Sequence, residues 1–453
     1  MIRTFRCFFA GLTVLLATGT AVAQSQQTPE LHKVKKKETL FGIARQYGLT
    51  IQELIEANPE MNRPGYELKK DDYVIIPQRK SHAADVQQAP VPQSITRYST
   101  PHKGAVKLGV MLPLHDANGD GRRMIEYYRG VLMACDSLKK RGYSIDVYAW
   151  STPDTKDIAP VLRESAAKEC DLIIGPLYSM QMSQLSEFAS RHDIKLIIPF
   201  SISVPELASN SNIFQVYQSP NAFNDGVIEQ FVNRFTNYHP VFIDCNDSTS
   251  TKGNFTSGLR RRLEIMGIDY GITNLKSSES KFARAFSQER PNVVILNSGK
   301  GPELNVAIAK LNGLTAAVPG LKITLFGYQE WMLYTRQQLE NFYKYNTYIP
   351  SAFHYNPLSS KTLSLEQKYR QNFHQDMMYS LPRFAITGFD HAMFFLQGIK
   401  QYGKSFTGAP GMVGYTPIQT PLRFERLGNG GLRNRSLMFI HYLPEHRMET
   451  ITF

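Results

Sequence analysis

The chain has 453 residues, of which 42% are hydrophobic and 20% charged, a balance that permits a large buried core and two to four domains. Its 51 Lys and Arg against 39 Asp and Glu leave a formal charge of +12, which favours anionic partners such as wall polymers or phospholipid heads. That surplus is spread along the chain, with Arg260-Arg261-Arg262 and Lys35-Lys36-Lys37 as its densest runs, and no nucleic-acid signature accompanies it.

The N-terminus is read first. Arg3 and Arg6 precede an apolar stretch from Phe8 to Ala17, and Ala21-Val22-Ala23 follows with small residues at the two positions a signal peptidase reads. This three-part pattern predicts a cleavable secretory signal over 1–23 and export to the periplasm of the cell envelope. The apolar core is too short for a stable membrane span, and no other segment reaches the ~20 apolar residues a span needs. Cys7 lies before the apolar core, so the pattern is not that of a lipoprotein. The other cysteines are Cys135, Cys170 and Cys245. An odd number leaves at least one thiol unpaired, and no CxxC spacing suggests redox or zinc chemistry. A Cys135–Cys170 bridge is one arrangement the count allows; small buried hydrophobes are the simpler reading.

Residues 32–78 read as strand, helix, helix, strand. Val34 opens a strand. Thr39 can cap a helix that places Leu40, Ile43 and Tyr47 on one face, and Gly48 suits its end. Thr50-Ile51-Gln52-Glu53 is a capping box for a second helix presenting Ile51, Leu54 and Ile55. Tyr73-Val74-Ile75-Ile76-Pro77 is a strand ended by proline. Residues 79–104 then form a polar, proline-containing linker; if flexible, its roughly 26 residues span ~28 Å root-mean-square.

From Lys107 onward, short apolar runs alternate with longer amphipathic segments. The runs are 108–112, 145–148, 172–174, 196–199, 241–243, 293–296 and 323–326; the segments are 122–141, 158–169, 183–192, 222–235, 256–266 and 303–311. This alternation predicts βαβ units and mainly parallel sheets, whose strands are buried on both faces and so lack internal alternation. About 350 residues exceed one core, which predicts two lobes.

The small unit resembles the LysM module. The residues that carry the likeness are His32-Lys33-Val34, Thr39-Leu40-Phe41-Gly42-Ile43-Ala44, Tyr47-Gly48-Leu49-Thr50, Glu53-Leu54, Asn58-Pro59 and Tyr73-Val74-Ile75-Ile76-Pro77. The resemblance implies binding of the N-acetylglucosamine backbone of peptidoglycan. Its shallow groove would lie between Lys37, Glu38, Thr39, Leu40 and Phe41 on one side and Asn58, Pro59, Glu60 and Met61 on the other. The sequence departs from the family in having Lys37-Glu38 where Gly-Asp is usual.

Residues 105–453 resemble the type I periplasmic binding proteins, the Leu/Ile/Val-binding-like family. The likeness rests on the order of Lys107–Leu114, Tyr128–Ala134, Asp171–Leu177, Ile197–Ser201, Gly327–Trp331 and Thr387–Ala392, closed by Gly411–Arg426. It implies two Rossmann-like lobes joined by three crossovers: lobe one over about 105–222 and 350–405, lobe two over about 223–349 and 406–453. Ligands of such folds sit at the carboxyl ends of the strands. The resemblance places Leu114, Tyr178, Ser179, Ser201 and Ser203 on the lobe-one side of the cleft, with the two serine-bearing loops holding a carboxylate. An acid from lobe two, Asp244, Asp247 or Glu330, would take an amine. Two functions follow. One is a wall-binding protein whose cleft takes a small solute such as an amino acid or wall fragment. The other is a wall-held scaffold or regulator of peptidoglycan synthesis that acts through an envelope protein partner.

Catalytic signatures are missing. There is no G-x-S-x-G, H-E-x-x-H, P-loop or G-x-G-x-x-G, and the 11 His show no ligand spacing. Ser137–Lys140 and Ser278–Lys281 fit S-x-x-K without a K-T-G partner. Asp116-Ala117-Asn118-Gly119-Asp120-Gly121 starts like a calcium loop but has Tyr127 where a bidentate Glu belongs, so a flexible loop is expected there. The expectation is a non-enzyme with no metal and no cofactor.

Overall fold

The computed structural model describes residues 104–453 and, nearer the N-terminus, residues 30–35, 38, 43, 44, 46, 47, 54, 57, 58, 70 and 72–77. The expected signal segment, the linker up to 103, the Thr39 cap and the 50–53 capping box lie outside the described residues. The chain divides into two units, within 1–88 and 89–453.

In the first unit, β1 (Glu30–Lys33) pairs antiparallel with β2 (Tyr73–Ile76), with Lys33 opposite Tyr73. Val34, expected to open the strand, lies just past it, where its N–H still bonds Asp72 O at 2.9 Å. β2 alternates: Val74 and Ile76 face in, Tyr73 and Ile75 face out. The inward pair meets Val34, Ile43, Ala44 and Leu54 in a small core. Ile43, Ala44, Leu54 and Ala57 are helical, as the apolar spacing predicts.

The second unit begins with β3 (Val106–Leu112), α1 (Gly119–Lys139), β4 (Ile145–Ser151), β5 (Leu172–Ile174), α2 (Met182–Arg191), β6 (Lys195–Ile198) and β7 (Ile213–Gln215). It continues with α3 (Pro220–Arg234), β8 (His239–Asp244), α4 (Gly253–Ile265), β9 (Gly271–Asn274), β10 (Asn292–Leu296), α5 (Gly301–Ala317), β11 (Ile323–Phe326), α6 (Thr335–Lys344) and β12 (Tyr348–Ser351). Last come α7 (Ser360–Phe373), α8 (Phe384–Tyr402), β13 (Phe424–Arg426), β14 (Leu432–Asn434), β15 (Met438–Leu443) and β16 (Arg447–Thr452). Among the described residues these strands form two seven-stranded sheets, ordered β13-β14-β7-β6-β5-β3-β4 and β16-β15-β12-β11-β10-β8-β9. All neighbours are parallel except β13–β14, β12–β15 and β15–β16. The fold is two Rossmann-like lobes.

The unbroken apolar runs have a simple cause. Leu108, Val110, Leu112, Leu172 and Ile174 join the core beneath α1 and α8, while Met111, Ile173, Leu196 and Ile198 join the core beneath α2. Each strand is therefore buried on both faces. The predicted helix over 158–169 is broken into short turns at 159–162 and 167–169. The expected flexible loop at 116–121 is instead a helix start: Asn118 Oδ1 accepts from Gly121 N at 2.8 Å and caps α1.

Two glycines set the helix layer of lobe one. A Cβ on Gly130 of α1 would lie 1.8 Å from Ala385 O, and one on Gly388 of α8 would lie 2.0 Å from Tyr127 O. Backbones approach this closely only without side chains between them. The crossing brings Tyr127 OH within 2.9 Å of His391 Nδ1, both fully buried. It also sets buried Glu126 to accept from Tyr369 of α7 and, at 2.8 Å, from Met378 N.

The chain crosses between sheets three times: after β7, after β12 and between β14 and β15. Residues 406–453, expected wholly in lobe two, are split. Phe406, Phe424 and Leu432 join the lobe-one core, and β13 and β14 extend its sheet. The reason is aromatic: Phe424 and Phe406 pack on Phe214 at ring-centroid distances of 5.2 and 5.7 Å. Only β15 and β16 reach the second sheet, which also holds β12, expected at the lobe-one boundary. Buried Asp390 of α8 holds the returning segment, accepting from Tyr415 OH, Ile418 N, Gln419 N and Thr420 N at 2.6–3.0 Å. Gln218 Nε2 donates to Ser436 O at 2.7 Å and joins the first and third crossovers. Cys135, Cys170 and Cys245 are unpaired and buried, with Cys135 and Cys170 in different cores; burial pushes each thiol up to about 12.

Gly388→Ala or Gly130→Ala should lower stability by about 1–3 kcal/mol or more, because the helices must part to admit a methyl; a denaturant midpoint unchanged from wild type would contradict the crossing. Burial pushes the Asp390 carboxyl up to about 6 against the pull of its four donors. A folded-state value above the unfolded one (about 3.9) means the group contributes stability present at low pH and lost as pH rises through about 6. Asp390→Asn cannot take up this proton, so its unfolding midpoint should gain less than that of wild type between pH 7 and pH 5; an equal gain would contradict the assignment.

Candidate functional site

In the small unit, the first strand–helix turn is organised by Glu38. Its Oε2 accepts from Lys35 N at 2.7 Å and meets His32 Nε2 at 2.9 Å, while His32 Nδ1 meets Tyr47 OH at 2.9 Å. The Lys35 amide and then His32 hold the Glu38 carboxyl below its ordinary value. Glu38 thus stands where the family's Asp is usual and serves as the turn's acceptor. Asn58 is fully buried. Its Nδ2 donates to Leu54 O at 2.7 Å and Ile75 O at 2.8 Å, and its Oδ1 accepts from Ile75 N at 2.8 Å. Both amide hydrogens are used, so Asn58, expected to contact glycan, stitches the second helix to β2 instead. Lys37, Thr39, Leu40, Phe41, Pro59, Glu60 and Met61 lie outside the described residues.

In the large unit, parallel strands bring the expected cleft residues to the carboxyl ends of the sheets. Leu114 is buried, its N–H bonded to Ser151 Oγ at 3.0 Å. Tyr178 and Ser179 begin the turn that leads into α2 after β5, and Tyr178 OH reaches Asp120 Oδ2 at 3.5 Å. Burial and then the Asp120 charge push the Tyr178 phenol upward. Ser201 and Ser203 lie after β6, and Ser201 Oγ donates to Ser203 O at 2.9 Å, inside its own loop. The Ser201 hydroxyl proton is thereby spent locally.

Lobe two is more constrained. Exposed Asp244 at the end of β8 accepts through Oδ1 from Asn246 N and Asn297 Nδ2, both at 2.9 Å. Asp247 Oδ1 lies 2.9 Å from Lys300 Nζ and 2.8 Å from Thr249 Oγ1, and its Oδ2 accepts from Ser298 Oγ at 2.9 Å. The Lys300 contact, then Thr249, hold the Asp247 carboxyl far below the usual carboxylate range. Glu330 Oε1 lies 2.6 Å from Lys252 Nζ, whose ammonium also sits 4.8 Å from the centre of the Tyr328 ring. The acids expected to receive a ligand's amine already hold ammonium groups of this chain or amide donors. Sequence reasoning missed Lys252 and Lys300. The available signal was their place directly before Gly253 and Gly301, where α4 and α5 start after β8 and β10, which carries them to the same strand ends as the acids.

Among the described residues no helix is long and apolar enough to cross a membrane, and no group of three or more His, Cys, Asp or Glu could hold a metal ion.

Asn58→Ala should cost the small unit about 1–3 kcal/mol, because three main-chain groups lose their partner; amide exchange at Ile75 as slow as in wild type would contradict the assignment.

Residues 32–77 match the LysM domain. No curated protein matches the chain by sequence. Among solved structures, a putative branched-chain amino acid ABC transporter protein from Rhodospirillum rubrum is 15% identical, over 77% of this chain and 100% of that one, with a TM-score of 0.51. Full-length LpoA from Haemophilus influenzae is 12% identical over 77% of this chain and 59% of its own, with a TM-score of 0.47. A branched chain amino acid ABC transporter periplasmic ligand-binding protein from Burkholderia xenovorans LB400 is 11% identical over 77% and 95%, with a TM-score of 0.44. At these identities the likeness is one of fold. The chain carries a LysM domain at residues 32–77 and, behind it, a two-lobed domain with the fold of the type I periplasmic binding proteins.

Proposed function

We propose that this is an exported, non-catalytic protein of the periplasm that grips the N-acetylglucosamine backbone of peptidoglycan through residues 32–78, with its two-lobed domain meeting an envelope protein. The observation that carries this reading is the state of the lobe-two strand ends. An amine directed at Asp247 or Glu330 would have to displace Lys300 or Lys252, and exposed Asp244 holds only amide donors, both on Oδ1. Either exchange swaps one ammonium for another, so it gains little Coulomb energy while leaving a lysine unpaired. On the lobe-one side the Ser201 hydroxyl is turned to its own loop. Two of the three candidate acids and the Ser201 hydroxyl are thus engaged within the chain. The LysM domain supports wall binding, and a wall-held domain suits a scaffold or regulator better than a carrier that must diffuse to a transporter.

The test uses the full chain without its signal segment. It should sediment with purified sacculi, and a chain lacking residues 30–78 should stay in the supernatant. Millimolar amino acids or small muropeptides should leave its unfolding midpoint in place. A saturable rise in that midpoint would show a ligand bound to the native state and would overturn the protein-contact reading in favour of a solute receptor.

A further inference from the structure

The hairpin of β13 and β14 gathers charge on one face. Glu425 pairs in register with Arg433, and Arg435 N donates to Arg423 O at 2.8 Å, so Arg423 and Arg435 form the next cross-strand couple. Residues two apart on a strand share a face, as do residues directly opposite. Arg423, Glu425, Arg433 and Arg435 therefore stand on one side, while Phe424 and Leu432 point the other way into the lobe-one core. Arg433 is also in register with Gln215 of β7, whose Nε2 donates to Ser201 O at 3.2 Å, so the loop after β6 borders this face. The crossover held by Gln218 and Ser436 begins directly after Arg435.

The three guanidinium groups are short of acceptors, although all three arginines are half-buried. Arg435 Nε reaches Glu425 Oε2 only at 3.5 Å, and that acid is 59% exposed. Among the described residues, no acceptor of the chain meets the side chain of Arg433 or that of Arg423, whose Nε is shut off from solvent. Like charges directly opposite across a hairpin destabilise it. A half-buried guanidinium without an acceptor has lost water and gained nothing in return. The fold holds this arrangement at a cost that carboxylates on the face would offset, because the planar guanidinium fork matches a carboxylate in bidentate geometry. We infer that the β13–β14 face docks an extended acidic segment of an envelope protein, whose carboxylates engage Arg423, Arg433 and Arg435. This rests on the protein-contact reading above and names its surface.

Spacing and charge select that occupant. Arg433 and Arg435 are two residues apart on one strand, which sets them about 7 Å apart, the repeat of alternate side chains along an extended peptide. β13 is the outermost strand of its sheet, so an extended segment can reach the face from an open edge. The face sets Arg423, Arg433 and Arg435 against Glu425 alone. A second copy docked face to face would therefore bring arginine against arginine.

The test titrates a fluorescent Glu-Thr repeat peptide, with a Gln-Thr repeat as its uncharged twin, against the full chain without its signal segment. Saturable binding of the Glu peptide and none of the Gln peptide is expected. Arg433→Gln combined with Arg435→Gln should weaken binding about tenfold, whereas Arg261→Gln combined with Arg262→Gln, which removes the same charge from exposed positions of α4, should change it less than about twofold. Glu425→Gln removes the competing acid and should tighten binding about twofold, a gain that a misfolded chain could not give. No saturable binding, an equal loss from both arginine pairs, or no gain from Glu425→Gln would each overturn the inference. In the cells that make the protein, a photo-crosslinking phenylalanine analogue at exposed Ile202, in the bordering loop, should give a protein adduct that the Arg433→Gln and Arg435→Gln pair removes. Its crosslinked peptide, sequenced by mass spectrometry, should be rich in Asp and Glu. An adduct to lipid or to a second copy would also overturn the inference. These failures remove the surface and leave the protein-contact reading standing; stabilisation of the chain by an amino acid would remove that reading itself.

Discussion

The contact between α1 and α8 at Gly130 and Gly388 fixes the geometry of much of lobe one. With no Cβ at either position, the helix backbones meet, and the neighbouring side chains have to settle around that contact. Tyr127 and His391 find each other in a fully buried pair, and burial lowers the imidazole to about 3, so it stays neutral. Glu126, one residue away, reaches both α7 and the chain after it, while Asp390 on the other helix collects four donors from residues 415–420. Buried carboxyl groups are expensive unless their oxygens are partnered; Glu126 also pairs with Arg129 at 3.6 Å, while Asp390 is held by hydrogen-bond donors. Their donors come from segments that a free chain would leave in solvent, so these segments are drawn onto the helix pair. The second crossover is tied in the same way, through His354 N and Gln419 O at 3.0 Å.

The strand ends of lobe two obey a different constraint. A parallel sheet delivers every loop after a strand to one edge, so acids and lysines far apart in sequence arrive together. Asp247 meets Lys300 and Glu330 meets Lys252 across 53 and 78 residues. Once formed, these pairs neutralise the charges an amine-bearing ligand would seek. Fold alone therefore says little about what the domain recognises; the groups at the strand ends decide it. Here Asp247 and Glu330 hold lysines of this chain, while exposed Asp244 holds two amide donors.

In the small unit, side-chain hydrogen bonds tie together the described pieces of helix and strand. Among the described residues, Val34, Ile43, Ala44, Leu54, Val74 and Ile76 pack into a core, and Asn58 and Glu38 each bind groups from separate segments beside it. Asn58 spans from Leu54 to both main-chain groups of Ile75, acting as a peptide-like bridge between helix and strand. Glu38 closes the opposite turn through Lys35 and His32. Both residues were legible as part of a recognisable module. Their roles were not, because an exposed glycan contact and a buried structural amide have the same sequence signature.

The sequence by itself determined the class of the fold. Runs such as 108–112 and 293–296 had to be strands buried on both faces, since uninterrupted apolar residues of that length between amphipathic segments have no better place. The short strands at 213–215, 271–274 and 432–434 mix polar and apolar residues over three or four positions and carry neither an apolar run nor a period. Of residues 406–453, expected in lobe two, the part carrying β13 and β14 lies in lobe one, and nothing local marks the turn back. The packing of Phe406 and Phe424 on Phe214, 190 or more positions earlier, decides it. The same holds for the site. The acids and serines could be placed at strand ends from order alone. Whether Asp247 and Glu330 are free for a ligand or already engaged depends on lysines that only the folded sheet brings within 3 Å.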